Sequence, residues 1–518
     1  MNIGFIPNKY ARIEPNRPAL IDIPNDRRMS FGELDDRVCR LANGFIDRFG
    51  LKKGDRIAIL AKNCMEYIEC YFACARVGLI IQPLNWRLGN KELSRILNDG
   101  KPAVIITLKE FEEVKNYLQQ NVDLDYWLEI GEGSNHSYEI LVQASSNEEP
   151  SLSSEVGDED PMLILYTGGT TGEPKGAIHT HKSFYAGMLN QTVAERIVPS
   201  DVYMLTGQMF HIPIVLAINY MAHGCPLVLI NFEAKLALEV IEKERVSAFL
   251  GITTMLNWMM SVENFDSYDI SSLRNIQYGG GPMGMKVVKA ALEAFPCTLI
   301  QGFGQTEGMG MTFLSQEDHI KAVNSIHPER LSSCGREAFV NTIQIVDNNG
   351  VPVPKDGKTT GEIVVKSDAN MIGYWNKPEL TAQTLQDGWL HTGDVAKWDE
   401  DGYIFIVDRA KDMIISGGEN IYSTQVENAI YQNDAVLEVA VFGIPDEEWG
   451  ENVTAAVVLK PGRTATEEDI IESAKNHLAS YQKPKKVYFV DSLPKSPTSK
   501  ILKRELRETY AAKMGERV

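Results

Sequence analysis

The sequence has no surplus of basic residues, no secretory-type leader and no paired Cys/His clusters at metal-ligand spacing, and each absence removes a class of function. Lys and Arg number 51 against 70 Asp and Glu, a net charge of −19. Phosphate backbones and anionic bilayers are gripped by excess cations, so a general nucleic-acid or membrane-surface binder is not expected. An anionic substrate would need a local basic site, which makes any Lys or Arg inside a motif informative. The opening MNIGFIPNKYARIEP lacks a basic segment followed by an apolar core, so no signal peptide is expected. The seven cysteines are odd in number, and Cys64, Cys70 and Cys74 fall in one helical stretch, NCMEYIECYFACARVG. With no second ligand cluster they read as apolar filling, with reduced thiols and a cytoplasmic setting. Internal repeats and low-complexity tracts are missing too. From His211 to Phe232 there is no Asp, Glu, Lys or Arg, but Asn219, Gly224 and Pro226 divide the run into a helix and a strand, PLVLI, and no integral membrane segment is expected.

What is present is a chain of 518 residues, beyond the roughly 250 to 300 at which one hydrophobic core stops growing, so more than one structural unit is required. Short continuous apolar runs recur between helical stretches: IAIL from Ile57, VIIT from Val104, LILYT from Leu163, PLVLI from Pro226 and SAFLGI from Ser247. Continuous rather than alternating runs are how strands buried on both faces read, which predicts mostly parallel sheets covered by helices. After about Leu331 the strands shorten and alternate, as in NTIQIVDNNG, GEIVVKS and DGYIFIVDR, which predicts a small antiparallel, barrel-like subdomain. Beyond Val407, helix and strand alternate over a length common for a small α/β domain. The predicted architecture is therefore α/β, with an N-terminal domain over residues 1–407, a linker around Asp408 to Lys411, and a smaller domain over 408–518.

The richest local signal is YTGGTTGEPKG, residues 166–176, directly after LILYT. Gly168, Gly169, Gly172 and Gly176 let backbone approach a phosphate closely, Thr167, Thr170 and Thr171 offer hydroxyl donors, and Lys175 supplies a point charge. No Gly-Lys-Ser/Thr follows a glycine at the spacing of a Walker A loop, which sets the usual P-loop nucleotidases aside.

This segment resembles the signature loop of the acyl-adenylate-forming (AMP-binding) superfamily, which includes acyl-CoA synthetases, luciferases and peptide-synthetase adenylation domains. The order of further segments agrees: YGGGP (278–282), GFGQTE (302–307), HTGD (391–394), DRAKD (408–412), SGGEN (416–420) and the stretch from Pro494 to Lys500, with GDRIAILAKN and PLNWRL upstream. The resemblance thus covers nearly the whole chain, and it implies a mobile C-terminal domain.

What the resemblance implies is taken residue by residue. Gly279, Gly280, Gly281 and Pro282 would wall the adenine, with Phe303 of Gly302-Phe303-Gly304-Gln305 stacking on the purine. Glu307 would bind Mg²⁺ with help from Thr167, while Thr306 bonds the α-phosphate. Asp394 would accept both ribose hydroxyls and Arg409 would add a donor to the same sugar. Lys500 would stabilise charge on the reacting carboxylate and α-phosphate; here Ser499 stands where the family has Gly. Lys411 would be the hinge. Gly417 and Gly418 would line the pantetheine passage, Trp449 would stack on CoA adenine, and Lys483, Lys485 and Lys486 are candidate phosphate contacts. His211 would border the acyl site, with Ile212, Ile214, Thr254 and the run Gly308, Met309, Gly310 and Met311 shaping a hydrophobic pocket in which the two glycines leave room.

These roles imply an acyl-CoA synthetase that uses ATP, CoA, Mg²⁺ and a fatty or aryl acid, as a monomer or homodimer. Three other readings predict different products. An adenylating ligase that loads a carrier protein would give no soluble CoA thioester, a luciferase-like oxygenase would consume oxygen and emit light, and a kinase or ATPase would release ADP. A nucleotide-binding regulator would have lost Lys500, Glu307 and Asp394, which are all present.

Overall fold

The structure is a computed structural model that describes all residues except 125, 132–136, 153, 168–173, 281–282, 325–326, 410–411, 418, 447–448, 476–477, 480, 496–500 and 516–518. Ten residues of the expected site therefore lie outside the described residues: Gly168, Gly169, Thr170, Thr171, Gly172, Gly281, Pro282, Lys411, Gly418 and Lys500. The chain divides into two compact units, Met1–Ile343 with Val365–Leu390, and Gln344–Val364 with His391–Val518.

The first unit is built on two large sheets. In the nine-stranded sheet the order is Arg336–Glu337, Met309–Leu314, Thr298–Gln305, Asn275–Gly279, Ala248–Leu250, Tyr203–Leu205, Leu227–Leu229, Pro18–Asp22 and Arg27–Ser30. Every pairing from Thr298–Gln305 to Pro18–Asp22 is parallel. The seven-stranded sheet runs Gly373–Tyr374, Lys175–Thr180, Pro161–Thr167, Ile80–Pro83, Arg56–Leu60, Val104–Leu108 and Tyr126–Ile130, and is parallel from Pro161–Thr167 onward. The continuous apolar runs are these central strands: Ile57, Ile59, Val104, Ile106, Leu163 and Leu165 are all buried, because helices cover both faces of a parallel sheet.

Helix Met65–Val77 is buried at every position, including Cys70 and Cys74. A helix buried all round carries its charges in pairs: Glu69 to Arg37 at 2.7 Å and Glu66 to Arg27 at 2.7 Å. The uncharged run from His211 resolves into helix Pro213–Ala222 and strand Leu227–Leu229. Among the described residues no helix is long and apolar enough to cross a membrane.

In the second unit, Trp389–Trp398 and Ile404–Arg409 form an antiparallel hairpin with Asp394 opposite Arg409. These strands share a sheet with Gly361–Lys366 and Thr342–Val346. This is the short-stranded, antiparallel subdomain that the alternating segments predicted. A further five-stranded sheet places Glu419–Ile421, Ile414–Ser416, Gly450–Leu459 and Val436–Asp446 in order, with Lys486–Phe489 parallel to Gly450–Leu459. Helices Ser423–Ile430, Glu467–Lys475 and Lys503–Gly515 complete the C-terminal region. Its core is aliphatic, with Val426, Ile430, Val439, Val441, Val453 and Ile470 in one cluster.

Candidate active site

The phosphate-loop motif begins and ends in strands. Pro161–Thr167 pairs antiparallel with Lys175–Thr180, and Thr167 stands opposite Lys175. Residues 168–173 join two strand ends fixed by a ladder, so Thr167 and Lys175 are anchored on rigid backbone. Thr167 is half-buried, its hydroxyl directed to the Lys175 carbonyl at 3.5 Å. The Lys175 ammonium lies 6.0 Å from the centre of the Tyr374 ring.

Glu307 sits in the turn between Thr298–Gln305 and Met309–Leu314. Three neighbours hold that turn. The Tyr374 hydroxyl donates to Glu307 Oε1 at 2.7 Å, the Met371 N–H donates to the Glu307 carbonyl at 2.7 Å, and His179 Nε2 meets the Thr306 carbonyl at 2.7 Å. A carbonyl only accepts, so His179 carries its proton on Nε2. Burial holds its pKa down at about 4, so the ring is neutral near pH 7. Burial also raises the Tyr374 phenol well above its usual range, with Glu307 adding to the shift, which keeps it a donor to the carboxylate. Among the described residues no Lys or Arg forms an ion pair with Glu307. The half-buried Glu307 carboxylate is a hard-oxygen donor of the kind that Mg²⁺ takes. Among the described residues no three His, Cys, Asp or Glu side chains gather into a metal cage; Mg²⁺ commonly takes only one or two carboxylates plus substrate phosphates.

Phe303 is half-buried on strand Thr298–Gln305, and Gly279 pairs with Gly302 across the sheet. These glycines are steric necessities: a Cβ on Gly279 would strike the Gly302 carbonyl, and one on Gly304 would strike the Met309 carbonyl. Gly280 has φ +75°, a left-handed conformation that side chains disfavour. Gln305 is half-buried at the end of its strand and Thr306 is buried in the turn.

The residues expected around the acyl group divide. His211 and Ile212 are half-buried just before helix Pro213–Ala222, Ile214 is fully buried inside that helix, and Thr254 is exposed on helix Thr253–Met260. Gly308 and Gly310 sit close to neighbouring side chains: a Cβ on Gly308 would meet Met311 Cε and Leu390, and one on Gly310 would lie 2.9 Å from the Phe313 ring. Met309 and Met311 are both buried. Met309, at φ 54°, turns its sulfur against Gly187, which has no Cβ to oppose it.

The second unit gathers a separate set. Asp394 is buried and its carboxylate meets Arg409 Nε at 2.9 Å. The turn before it is fixed by Glu362, whose oxygens accept from the Gly393 N–H at 2.8 Å and pair with His391 at 2.9 Å. Asp408, at the start of the expected linker, is buried and accepts a hydrogen bond from Ser423 Oγ at 2.7 Å. Farther on, the Gly417 N–H donates to the Trp449 carbonyl at 2.7 Å, and a Cβ on Gly417 would lie 3.0 Å from the Trp449 ring. Lys485 places its ammonium 3.9 Å from the centre of that ring. Lys486 is paired with Glu467 at 2.8 Å, and Lys483 is half-buried.

Three contributors escaped the sequence. Tyr374 lies in a two-residue strand with no local pattern, Glu362 is remote from the turn it holds, and His179, in AIHTHKS just past the loop, offered the one readable hint.

A Thr- and Gly-rich motif between paired strand ends, a glycine-lined strand edge and a carboxylate braced by Tyr374, all on one α/β unit, are the arrangement expected of a nucleotide-using enzyme. The chain belongs to the AMP-binding enzyme family: residues 8–375 match the AMP-binding enzyme model and residues 425–500 match the AMP-binding enzyme C-terminal domain. It is 34% identical over 514 residues to the long-chain-fatty-acid–CoA ligase FadD13 of Mycobacterium tuberculosis, covering 99% of each chain. It is 35% identical over 511 residues to a feruloyl-CoA synthase of Amycolatopsis sp, covering 98% of this chain and 99% of that one. The solved o-succinylbenzoate CoA synthetase (MenE) of Bacillus subtilis, in complex with its acyl-adenylate intermediate, superposes with a TM-score of 0.85 at 28% identity, covering 97% of both chains.

Proposed function

We propose that this protein is an ATP-dependent carboxylic acid:CoA ligase acting on a hydrophobic acid, forming an acyl-adenylate and pyrophosphate and then acyl-CoA and AMP. The observation that carries the reading is Glu307, braced by Tyr374 in the same unit as the Thr167/Lys175 strand ends, in a chain of the AMP-binding enzyme family. The substrate carboxylate attacks the α-phosphorus and pyrophosphate departs, so charge builds on phosphate oxygens and must be met by preplaced cations and donors. Lys175 and the amides of the loop that begins at Gly168 bind the phosphates, with Thr170, Thr171, Gly169 and Gly172 in that loop. Thr306 faces the α-phosphate, and Phe303 with Gly279 to Pro282 receives the adenine. Glu307 and Thr167 would hold Mg²⁺, which supplies positive charge against the phosphates.

Asp394 and Arg409 bind the ribose, and Lys500 neutralises charge in the first step. In the second step a thiolate attacks the adenylate carbonyl and AMP leaves, with Gly417, Gly418 and Trp449 serving CoA. Lys483, Lys485 and Lys486 are the candidate phosphate contacts, and of the last two Lys485 suits the role better, because Lys486 already has Glu467 as a partner. The domain assignment follows the same division of labour: 1–407 for adenylation, 408–518 for the catalytic lysine and CoA, with the hinge at Lys411, working in the cytoplasm as a monomer or homodimer. The test is product mass. Short, long and aromatic acids supplied with ATP, Mg²⁺ and CoA should yield an acyl-CoA and AMP; ADP as the nucleotide product would contradict the assignment.

A further inference from the structure

The helix Asn90–Gly100 ends on a carboxylate that the proposed chemistry leaves unused. Asp99 lies in its last turn, where the negative end of the helix dipole disfavours an acid. The last carbonyls of a helix also need partners from outside it. Here Arg56 and the segment that carries Tyr374 supply them. Trp375 Nε1 and Asn376 Nδ2 both donate to the Asp99 carbonyl, at 3.2 and 3.1 Å. Arg56 donates to the Gly100 carbonyl at 3.0 Å and to the Lys101 carbonyl at 2.7 Å, with its guanidinium 5.3 Å from the centre of the Trp375 ring. The Asp99 carboxylate itself accepts from the Tyr166 hydroxyl at 2.6 Å. Burial raises the Tyr166 phenol well above its usual range, and the bond to Asp99 adds to the shift, so the phenol stays a donor.

Both ends of the phosphate-loop motif rest on this helix end. Tyr166 immediately precedes Thr167, and it stands opposite Gly176 as Thr167 stands opposite Lys175. A Cβ on Gly176 would come within 3.0 Å of the Tyr166 ring, so the glycine gives the tyrosine its place against the paired strand. The Gly176 carbonyl in turn accepts from the Trp375 N–H at 2.7 Å, and Tyr374 and Gly373 continue that edge opposite Ala177 and Ile178. One residue before Trp375, the Tyr374 hydroxyl donates to Glu307. Asp99 thus reaches the first strand end through its carboxylate and the second through its carbonyl. Such placement matters, because a misplacement of about 1 Å in a reacting arrangement costs on the order of 10²-fold in rate.

We propose that Asp99 is a positioning residue for the ATP phosphates: its carboxylate fixes Tyr166, its carbonyl fixes Trp375, and together these set Thr167 and Lys175 and tie them to the segment that braces Glu307. The inference rests on the acid:CoA ligase reading for its nucleotide. It adds three residues, Asp99, Tyr166 and Trp375, that act through Thr167, Lys175 and Glu307.

The test is Mg·ATP binding by the full-length protein, measured by calorimetry, beside pyrophosphate exchange with short, long and aromatic acids. Tyr166→Phe removes one oxygen and keeps the ring, while Asp99→Ala removes the acceptor. Each should weaken ATP binding and raise the KM for pyrophosphate about tenfold, the low end for losing an outer partner of a binding group, and leave the KM for the acid within about twofold of wild type. Asp99→Asn should recover most of the loss, because its amide oxygen still accepts from the hydroxyl. The double variant Asp99→Ala/Tyr166→Phe should be no weaker than either single one, because both remove the same bond. A merely structural role would lower the active fraction and leave Kd and KM unmoved. Should Asp99→Ala fail to fold, Tyr166→Phe against the wild type decides the matter. Unchanged ATP affinity in Tyr166→Phe, an Asp99→Asn variant as weak as Asp99→Ala, or additive losses in the double variant would overturn the inference while leaving the ligase reading intact. Failure of every acid to support exchange by the wild type would instead remove the ligase reading, and the ATP affinities would still decide the role of Asp99.

Discussion

Glu307 and Trp449 both follow a strand and precede its antiparallel partner, yet the two side chains are held differently. The Glu307 turn is held from three directions by Tyr374, Met371 and His179 through side-chain and backbone hydrogen bonds of 2.7 Å each. Trp449 is held through its backbone by Asp446 and Gly417, but its side chain is left open: the residue is 43% exposed, and its ring lies beside Gly417 and a surface lysine, Lys485. A charge-handling residue that must meet developing charge without reorganising benefits from bracing. A ring that stacks on an incoming ligand is ordered when the ligand arrives, and that ordering costs affinity. The first turn is therefore expected to be intolerant of change and the second forgiving.

The harshest attempt to break this contrast is Glu307→Gln, which keeps shape and removes charge. Pyrophosphate exchange should fall by about 10² to 10³-fold, the range for losing one preorganised electrostatic group, with the circular dichroism spectrum unchanged. Next comes stability in the same unit. Burial lets Glu195 keep its proton in the folded protein up to a pKa of about 7, whereas its ordinary value is 4.5. The native state thus binds the extra proton between those values, so this group makes stability fall as pH rises through that window and level off above it. Glu195→Gln should remove the slope and stabilise the protein at pH 8 by at most about 3 kcal/mol, the size implied by such a shift. Urea midpoints at pH 5 and pH 8 measure it.

Tyr374→Phe removes one brace from Glu307 and should slow adenylation about tenfold, the low end for a group that orients a metal ligand; weaker Mg²⁺ dependence of ATP binding, read by calorimetry, should accompany it. Trp449→Ala should leave exchange unchanged and raise the KM for CoA only a few-fold, the scale of about 1 kcal/mol expected for a half-exposed stacking contact. An equal loss in both steps would erase the contrast between the turns.

The residues that were legible in the sequence are those whose function depends on local chain: the parallel strands, the glycine edge at Gly279 and Gly302, and the ordered motifs. The side-chain directions of the residues expected around the acyl group were not. Gly308 and Gly310 read as leaving room, and the sequence did not show that Met311 and Phe313 stand beside them. Met309 packs against Gly187, a contact that goes with a left-handed backbone angle that no periodicity encodes. Tyr374 and Glu362 act 67 and 31 residues away from Glu307 and Gly393, respectively. Long-range partners of that kind leave no local pattern. The contact of Asp99 with Tyr166 was hidden because two elements about 67 residues apart must meet before it exists.

Adenylation by the first turn is tested most directly with labelled pyrophosphate, ATP and Mg²⁺, in the absence of CoA. Label should enter ATP only when a hydrophobic carboxylic acid is present, and should fail to do so with Glu307→Gln. Exchange that needs no acid, or that survives the loss of that one carboxylate, would contradict the claim that Glu307 organises acyl-adenylate formation.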